Sequence, residues 1–241
     1  MRIYIVPYRD RAEHLEFFKT YISHVDPKTS DYRVLIIHQR DQRPFNRGAM
    51  KNIGFLAVKQ LYPHTYKDIS LIFNDVDIMP FKEGVFYADT MPGIVRHNYG
   101  YTTCLSASFV IQAGDFERTG GFPNLWTWGL EDFLLQERVF AAGLKIDRSR
   151  FKPVGDRSVL QFFDGITRNM STLDVASTRQ RHAKDGLNTL QARFTVEEDG
   201  TVQVNDFVCM YTPDSKIVVK DIRDLGVNAR VDTRKQLIFK K

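Results

Sequence analysis

Leu71-Ile72-Phe73-Asn74-Asp75-Val76-Asp77 is an apolar run that ends in two carboxylates separated by one valine. The run has the length and composition of a buried strand, and alternation along an extended chain sets Asp75 and Asp77 on one side. Pro80 and Gly84 follow, so the pair sits where strand gives way to loop. In an open α/β sheet that is the end at which ligands bind. Two adjacent carboxylates raise each other's proton affinity unless a cation or a donor relieves them. A hard divalent cation carrying substrate phosphates is the natural relief. The stretch predicts a metal–nucleotide site; a turn with solvated aspartates is the plain alternative.

Upstream, the pattern alternates. Ile3–Pro7 reads as a strand, residues 11–24 as a helix through Leu15, Phe18, Tyr21 and Ile22, and Tyr32–His38 as a second strand. Residues 47–62 read as a helix and Leu71–Asn74 as the third strand. Strand–helix–strand–helix–strand argues for βαβ units and a parallel sheet with right-handed crossovers. Downstream, residues 80–105 read as loop-rich, Ser106–Gln112 as a strand, and Glu131–Ala142 as a helix with Gly143 as its C-cap. Residues 164–188 read as a long polar loop. Gln191–Val196 and Val202–Tyr211 flank Glu197-Glu198-Asp199-Gly200, a hairpin signal, and residues 214–241 add one or two β-type segments and a basic end. The expected organisation is an α/β body over 1–190 and a β-rich C-terminal extension over 191–241 packed on it as one structural unit.

At 241 residues the chain can bury a sizeable core. Its formal charge of +5 is scattered rather than gathered into blocks, which disfavours nucleic acid as partner and suits a small anionic substrate. A basic nucleic-acid-binding protein is the rival reading on charge alone. Cys104 and Cys209 are far apart and form neither a metal pair nor a disulfide framework. The sequence opens directly on a strand and shows no apolar stretch long enough to cross a bilayer, so the expectation is a soluble, cytoplasmic protein.

Four local clusters carry chemistry. Pro7-Tyr8-Arg9-Asp10-Arg11 follows the first strand and opens a helix, an anion site made of amides and guanidinium groups. Phe45-Asn46-Arg47-Gly48 follows the second strand, where a phenyl ring can stack on a base and Asn46 can cap the next helix. Asp75 and Asp77 end the third strand. Trp126-Thr127-Trp128-Gly129-Leu130-Glu131-Asp132 offers aromatic faces for a sugar ring and paired acids for hydroxyl recognition and base catalysis. The first three clusters share one edge of the sheet.

Together with Asn52-Ile53-Gly54-Phe55, Gly121-Phe122-Pro123-Asn124 and Lys184-Asp185-Gly186-Leu187-Asn188-Thr189-Leu190, these clusters resemble the β-1,4-galactosyltransferase family of inverting glycosyltransferases. Order and rough spacing hold from residue 3 to about 211. The resemblance implies a GT-A-like, mostly parallel twisted sheet flanked by helices, with a small β-rich C-terminal addition. It implies a UDP-sugar donor, a saccharide or glycan acceptor and a manganese ion or another divalent cation. On matching positions, Pro7, Arg9, Arg11, Phe45, Arg47, Asp75, Val76 and Asp77 are implied to hold the donor, with Phe45 against uracil and Asp77 on the metal. Trp128, Gly129, Glu131 and Asp132 are implied to shape the acceptor pocket, with Asp132 as general base beside Glu131.

The pattern also departs from the family. The downstream Arg-Met-Ile-Arg-His-like segment, which supplies further metal ligands, corresponds here to Arg157–Phe163, without methionine or histidine. Asp77 is left to share the ion with Gln161, Asp164, His97 or water; His182 is a further histidine to weigh. Cys104-Leu105-Ser106-Ala107 replaces the family's Tyr-Phe-Gly-Gly, which leaves the donor sugar open, and Leu130 replaces a glycine beside the acceptor. A catalytically silent nucleotide-sugar-binding protein of the same fold is therefore the alternative. Animal members are membrane-anchored and disulfide-bonded, so this chain reads as a soluble bacterial or viral relative.

Overall fold

Period-two alternation in the first three strands divides the core in two. The computed structural model describes residues 1–26, 31–162, 167–170, 173–213 and 218–221. Strands β1 (Arg2–Tyr8), β2 (Tyr32–Gln39) and β3 (Ser70–Asn74) are joined by helices α1 (Ala12–Val25) and α2 (Arg47–Leu61). Ile3, Ile5, Leu35, Ile37, Leu71 and Phe73 pack with the α2 residues Ala49, Met50, Ile53 and Ala57. The intervening Tyr4, Val6, Ile36 and Ile72 pack with Phe18, Ile22 and Val25 of α1. These strands are therefore apolar on both faces, as parallel strands covered by helices must be. Gly54 lets α2 lie close to the sheet, because a Cβ there would stand 2.4 Å from Ile5 Cγ2.

Strands β4 (Ile78–Pro80), β5 (Ile94–Gly100) and β6 (Ser108–Gln112) follow, then helices α3 (Ala113–Thr119) and α4 (Glu131–Ala141). The remainder comprises β7 (Lys145–Asp147), β8 (Lys152–Pro153), β9 (Val159–Gln161), β10 (Thr167–Met170), α5 (Val175–Arg181), β11 (Gln191–Val196), β12 (Thr201–Val208) and β13 (Val218–Asp221). The large sheet runs β11-β12-β2-β1-β3-β6-β5-β7, with β8 also beside β5. β1 is parallel to β2 and β3, and β12 is parallel to β2. β6 and β11 run against their neighbours. The architecture is the expected α/β one, a mostly parallel sheet flanked by helices.

Three local readings change. β5 lies in the stretch read as loop-rich, and α5 in the one read as polar loop. The hairpin of β11 and β12 is present, but it extends the central sheet at the β2 edge instead of packing beside it. The sequence beyond Asp221, with its basic end, lies outside the described residues, as does Asp164.

The chain crosses from β1 through α1 to β2 on one side, then through α2 past β1 to β3 on the other. Such a reversal opens a crevice at the carboxyl ends of β1 and β3, the usual ligand position of an open α/β sheet. Both β1 and β3 end there in the charged clusters noted above.

Candidate active site

The twelve residues named above as donor, acceptor, metal and catalytic groups all line one cleft of about 370 Å³. Pro7, Arg9, Arg11 and Phe45 line one part of it, with the Arg9 guanidinium 5.5 Å from the Phe45 ring centroid. Trp128, Gly129, Glu131 and Asp132 form another part of its wall, and Arg47, Asp75, Val76 and Asp77 its floor, where Arg47 bridges Asp75 to Asp132. Of the two tryptophans, Trp126 belongs to the core, stacked on Phe207, whereas Trp128 is 38% exposed at the cleft. Cys104, Ser106 and Ala107, from the segment that replaces Tyr-Phe-Gly-Gly, also line it.

Asp75 and Asp77 reach the cleft from a turn rather than from an extended strand. The Ile78 N–H donates to the Asp75 carbonyl at 3.2 Å, and the chain then enters β4. Pairing of β4 with β9 sets Gln161 opposite Ile78, and the Phe162 N–H bonds the Asp77 carbonyl at 2.9 Å. Gln161 is thereby brought to the cleft beside Asp77.

Arg47 organises the acids. Its Nε and Nη2 donate to the two Asp75 oxygens at 2.9 and 2.8 Å, and its Nη1 donates to Glu131 Oε1 and Asp132 Oδ1, each at 2.8 Å. Such a bidentate guanidinium clamp fixes orientation as well as charge. Burial works against the Arg47 charge, but Asp132, Asp75 and Glu131 outweigh it and raise its pKa. Burial also opposes ionisation of Asp75, yet Arg47 and Lys51 prevail and hold it below the ordinary carboxylate range. Glu131 is pushed up by burial and by Asp132, and its Oε2 is buried without a partner. Asp77 is raised to about 6, first by burial and then by Asp75. Two neighbouring carboxylates thus shift in opposite directions, because Arg47 hydrogen-bonds only Asp75 and Lys51 stands beside it.

Two residues lining the cleft carry backbone strain: Ala107 at φ +61° and Leu130 at φ +72°, a region that side chains with a Cβ rarely occupy. Ala107 is held there as its carbonyl accepts the Asp75 N–H at 3.1 Å. Leu130 is the N-cap of α4, where the family pattern has glycine, and it places a branched side chain at the cleft.

The remaining motif residues build the support. Asn46 caps α2 by accepting the Ala49 N–H at 2.9 Å and donates to the Asn124 carbonyl at 3.0 Å. Asn52 donates to Phe122 and Asn124, and Asn124 donates through its backbone and side chain to Asp185 at 2.8 and 2.7 Å. The Asn-Arg, Phe-Pro-Asn and Asp-Gly-Leu-Asn segments are therefore one buried polar network that ties α2 to the loop before α4. Fully satisfied networks of this kind rigidify the groups they carry.

His97 and His182 are not in the cleft. His97 is buried between the Ser106 carbonyl, at 3.2 Å, and the Arg148 guanidinium, at 3.1 Å, and its pKa is lowered to about 4, chiefly by burial. His182 bonds Asp185 at 2.8 Å inside the support. Among the described residues, no group of three His, Cys, Asp or Glu is arranged to hold a metal ion. What the cleft offers a hard cation is the Asp77 carboxylate and the Gln161 amide oxygen, which accepts one hydrogen bond from Tyr99 at 2.7 Å. A cation that keeps water and substrate phosphates in its shell needs no more protein than one or two such oxygens. The residues fit an ion that is completed by a diphosphate.

Sequence reasoning overlooked Lys51, one helical turn beyond Arg47. It is fully buried beneath the floor, 3.6 Å from both Asp75 and Asp132. The available signal was a lone lysine among Ala49, Met50, Ile53 and Phe55, on a helix otherwise turned inward.

Comparison with known proteins gives consistent results. Residues 2–89 match the N-terminal region of glycosyl transferase group 7, and residues 94–158 match the N-terminal domain of galactosyltransferase. A xylosylprotein 4-beta-galactosyltransferase of Caenorhabditis elegans is 30% identical over 154 residues, 60% of this chain and 52% of that protein. Human beta-1,4-galactosyltransferase 1 is 27% identical over 198 residues, 77% of this chain and 49% of that protein. The chain spans about half the length of these curated relatives. A crystal structure of a Drosophila β-1,4-galactosyltransferase 7 variant with manganese, UDP-Gal and xylobiose superimposes with a TM-score of 0.68 at 20% identity, covering 88% of this chain and 94% of that one. Among the described residues no helix is long and apolar enough to cross a membrane. The two matched regions, the relatives and the shared GT-A fold show that the chain belongs to the β-1,4-galactosyltransferase family of glycosyltransferases.

Proposed function

We propose that the chain is an inverting glycosyltransferase that moves galactose or a related sugar from a UDP-sugar donor to a saccharide hydroxyl. The observation that carries this reading is the convergence of a guanidinium–aromatic side, a half-buried carboxylate raised to about 6 and a pair of acids in one cleft. Inversion by direct displacement needs a base on the acceptor side and charge neutralisation on the leaving diphosphate.

Asp132 is the base. It faces the cleft from the first turn of α4, and Arg47 fixes its carboxylate in place. Arg9 and Arg11 stand where the diphosphate lies, and the Phe45 face is available to uracil. Asp77, with Gln161, holds a divalent cation of the kind seen in the Drosophila enzyme. When bound, that ion neutralises the leaving diphosphate. Trp128 supplies an apolar face to the acceptor ring, and Leu130 narrows the space beside it.

The loss of the family's histidine ligand favours a second reading, a nucleotide-sugar-binding protein without turnover. Thermal shift with a panel of nucleotide sugars, with and without manganese, tests the binding half of both readings, since a bound ligand stabilises by mass action. The expected result is the largest rise in Tm with a UDP-sugar plus manganese. Equal shifts with every nucleotide, or none with UDP, contradict both readings. UDP release in the presence of a saccharide acceptor then separates transferase from binder.

A further inference from the structure

Lys51 has no exposed side-chain surface, and its Nζ has no hydrogen-bond partner. It lies 3.6 Å from Asp75 Oδ1 and 3.6 Å from Asp132 Oδ1, one oxygen on the donor side of the site and one on the acceptor side. Its stem runs over the Phe122 ring, with the Nζ 4.9 Å from the centroid. Arg47 and Lys51 are four residues apart on α2 and so share one face. They form a pair of cations against Asp75, Glu131 and Asp132.

We propose that Lys51 is a positioning residue for the transfer reaction: its sealed ammonium acts from beneath the floor to hold the Asp132 carboxylate aligned toward the acceptor, with Asp75 held by the same charge. The inference rests on reading Asp132 as the base.

Three physical points support it. The cluster already holds three carboxylates against one guanidinium, so the carboxylates offset part of what burial costs a second positive charge. At 3.6 Å without a hydrogen bond, the ammonium lends charge without occupying a carboxylate lone pair, which leaves that lone pair free to take a proton. Arg47 does the opposite, since its Nη1 bonds both Asp132 oxygens at 2.8 and 2.9 Å. Arg47 orients and Lys51 charges.

The fold itself does not call for the charge. Burial, followed by repulsion from Arg47, lowers the Lys51 pKa despite the carboxylates, so folding disfavours the ammonium. A methionine of similar length would fill the slot over Phe122, and replacing a buried charge by a well-packed apolar side chain is often neutral for stability. A group that breaks a folding rule beside a reactive cleft belongs to the site's chemistry.

The test compares wild type with Lys51→Met by thermal unfolding and by steady-state transfer from UDP-galactose and related UDP-sugars, with manganese. The groups facing Asp132 are Arg47 and Lys51 of α2, Asp75 after β3 and Glu131 on its own helix, with Cys104 and His97 farther off. Only Lys51 is changed. The expected result is an unchanged or higher Tm and a fall in kcat of ~10-fold or more with donor KM within about threefold. Transfer within about twofold of wild type, or a loss carried by donor KM rather than by kcat, overturns the assignment while leaving the transferase reading intact. A variant that fails to fold also overturns it. Absence of UDP release by the wild type removes both.

Discussion

Asp132→Asn is expected to leave UDP-sugar binding intact and to lower transfer by ~10³-fold or more, in line with the loss of a positioned general base. Asparagine keeps the shape and can still accept a hydrogen bond from Arg47, but it cannot take the acceptor's proton. The fold should tolerate the change. The cluster now sets Asp75, Glu131 and Asp132 against Arg47 and Lys51, so removing one negative charge balances it. Arg9, Arg11 and Phe45, which we propose hold the donor, are untouched by the change. Single-turnover transfer together with calorimetric UDP binding reads both quantities. Near-normal turnover by the variant would assign the base elsewhere.

Asp77→Ala is expected to abolish the manganese-dependent part of UDP binding. Among the described residues, Asp77 is the cleft carboxylate without a clamping cation, and the Gln161 amide alone is a weak ligand for a divalent ion. Calorimetry of UDP with and without manganese measures the difference, which should vanish in the variant. The same residue predicts a pH dependence. Its folded pKa of about 6 stands above the ordinary carboxylate value, so its ionisation works against the fold. That contribution favours stability below the unfolded value and is lost as pH rises through about 6. In metal-free protein, Asp77→Asn should therefore raise Tm above about pH 6, and the advantage should shrink toward pH 4. Manganese-dependent binding should weaken in the opposite sense, as protons compete for the carboxylate below about 6. A flat profile for both quantities would remove Asp77 from the metal.

The first 75 residues disclosed most of the fold because their physics is local. Ile3, Ile5, Tyr4 and Val6 alternate between two helices, and α1 and α2 present apolar residues at helical spacing. Asn46, Gly143 and the hairpin residues announce caps and turns by their own conformational preferences. β5 was hidden because buried polar residues interrupt its apolar ones, Val95 and Tyr99. Asn98 is buried and bonds the Tyr87 backbone, and His97 is buried against Arg148, so no apolar run marks the strand. α5 is a short helix held by its Asp174 cap rather than by an apolar stripe. The union of β12 with β2 pairs residues about 165 positions apart, and nothing near either strand dictates it.

The site was legible as a list of residues and not as a network. Arg47 was read as a nucleotide ligand beside Phe45, yet in the structure it clamps Asp75, Glu131 and Asp132. That role depends on where α4 meets α2, a tertiary fact with no local signature. Gln161 came forward only because β9 pairs with β4. Lys51 escaped notice because a lysine in a helix is ordinarily solvated, and its burial is settled only by Phe109, Phe122 and the acids around it.

The central claim is that nucleotide, divalent cation and acceptor base meet in one cleft at the carboxyl ends of β1 and β3. An anomalous-difference map from crystals of the protein grown with UDP and manganese addresses it most directly. The account predicts a single manganese peak at coordination distance from Asp77, about 2.2 Å, with the uracil on Phe45 and the diphosphate leading toward the Asp132 wall. Manganese and UDP bound at any other surface, with the Asp77 side of the cleft empty, would contradict it.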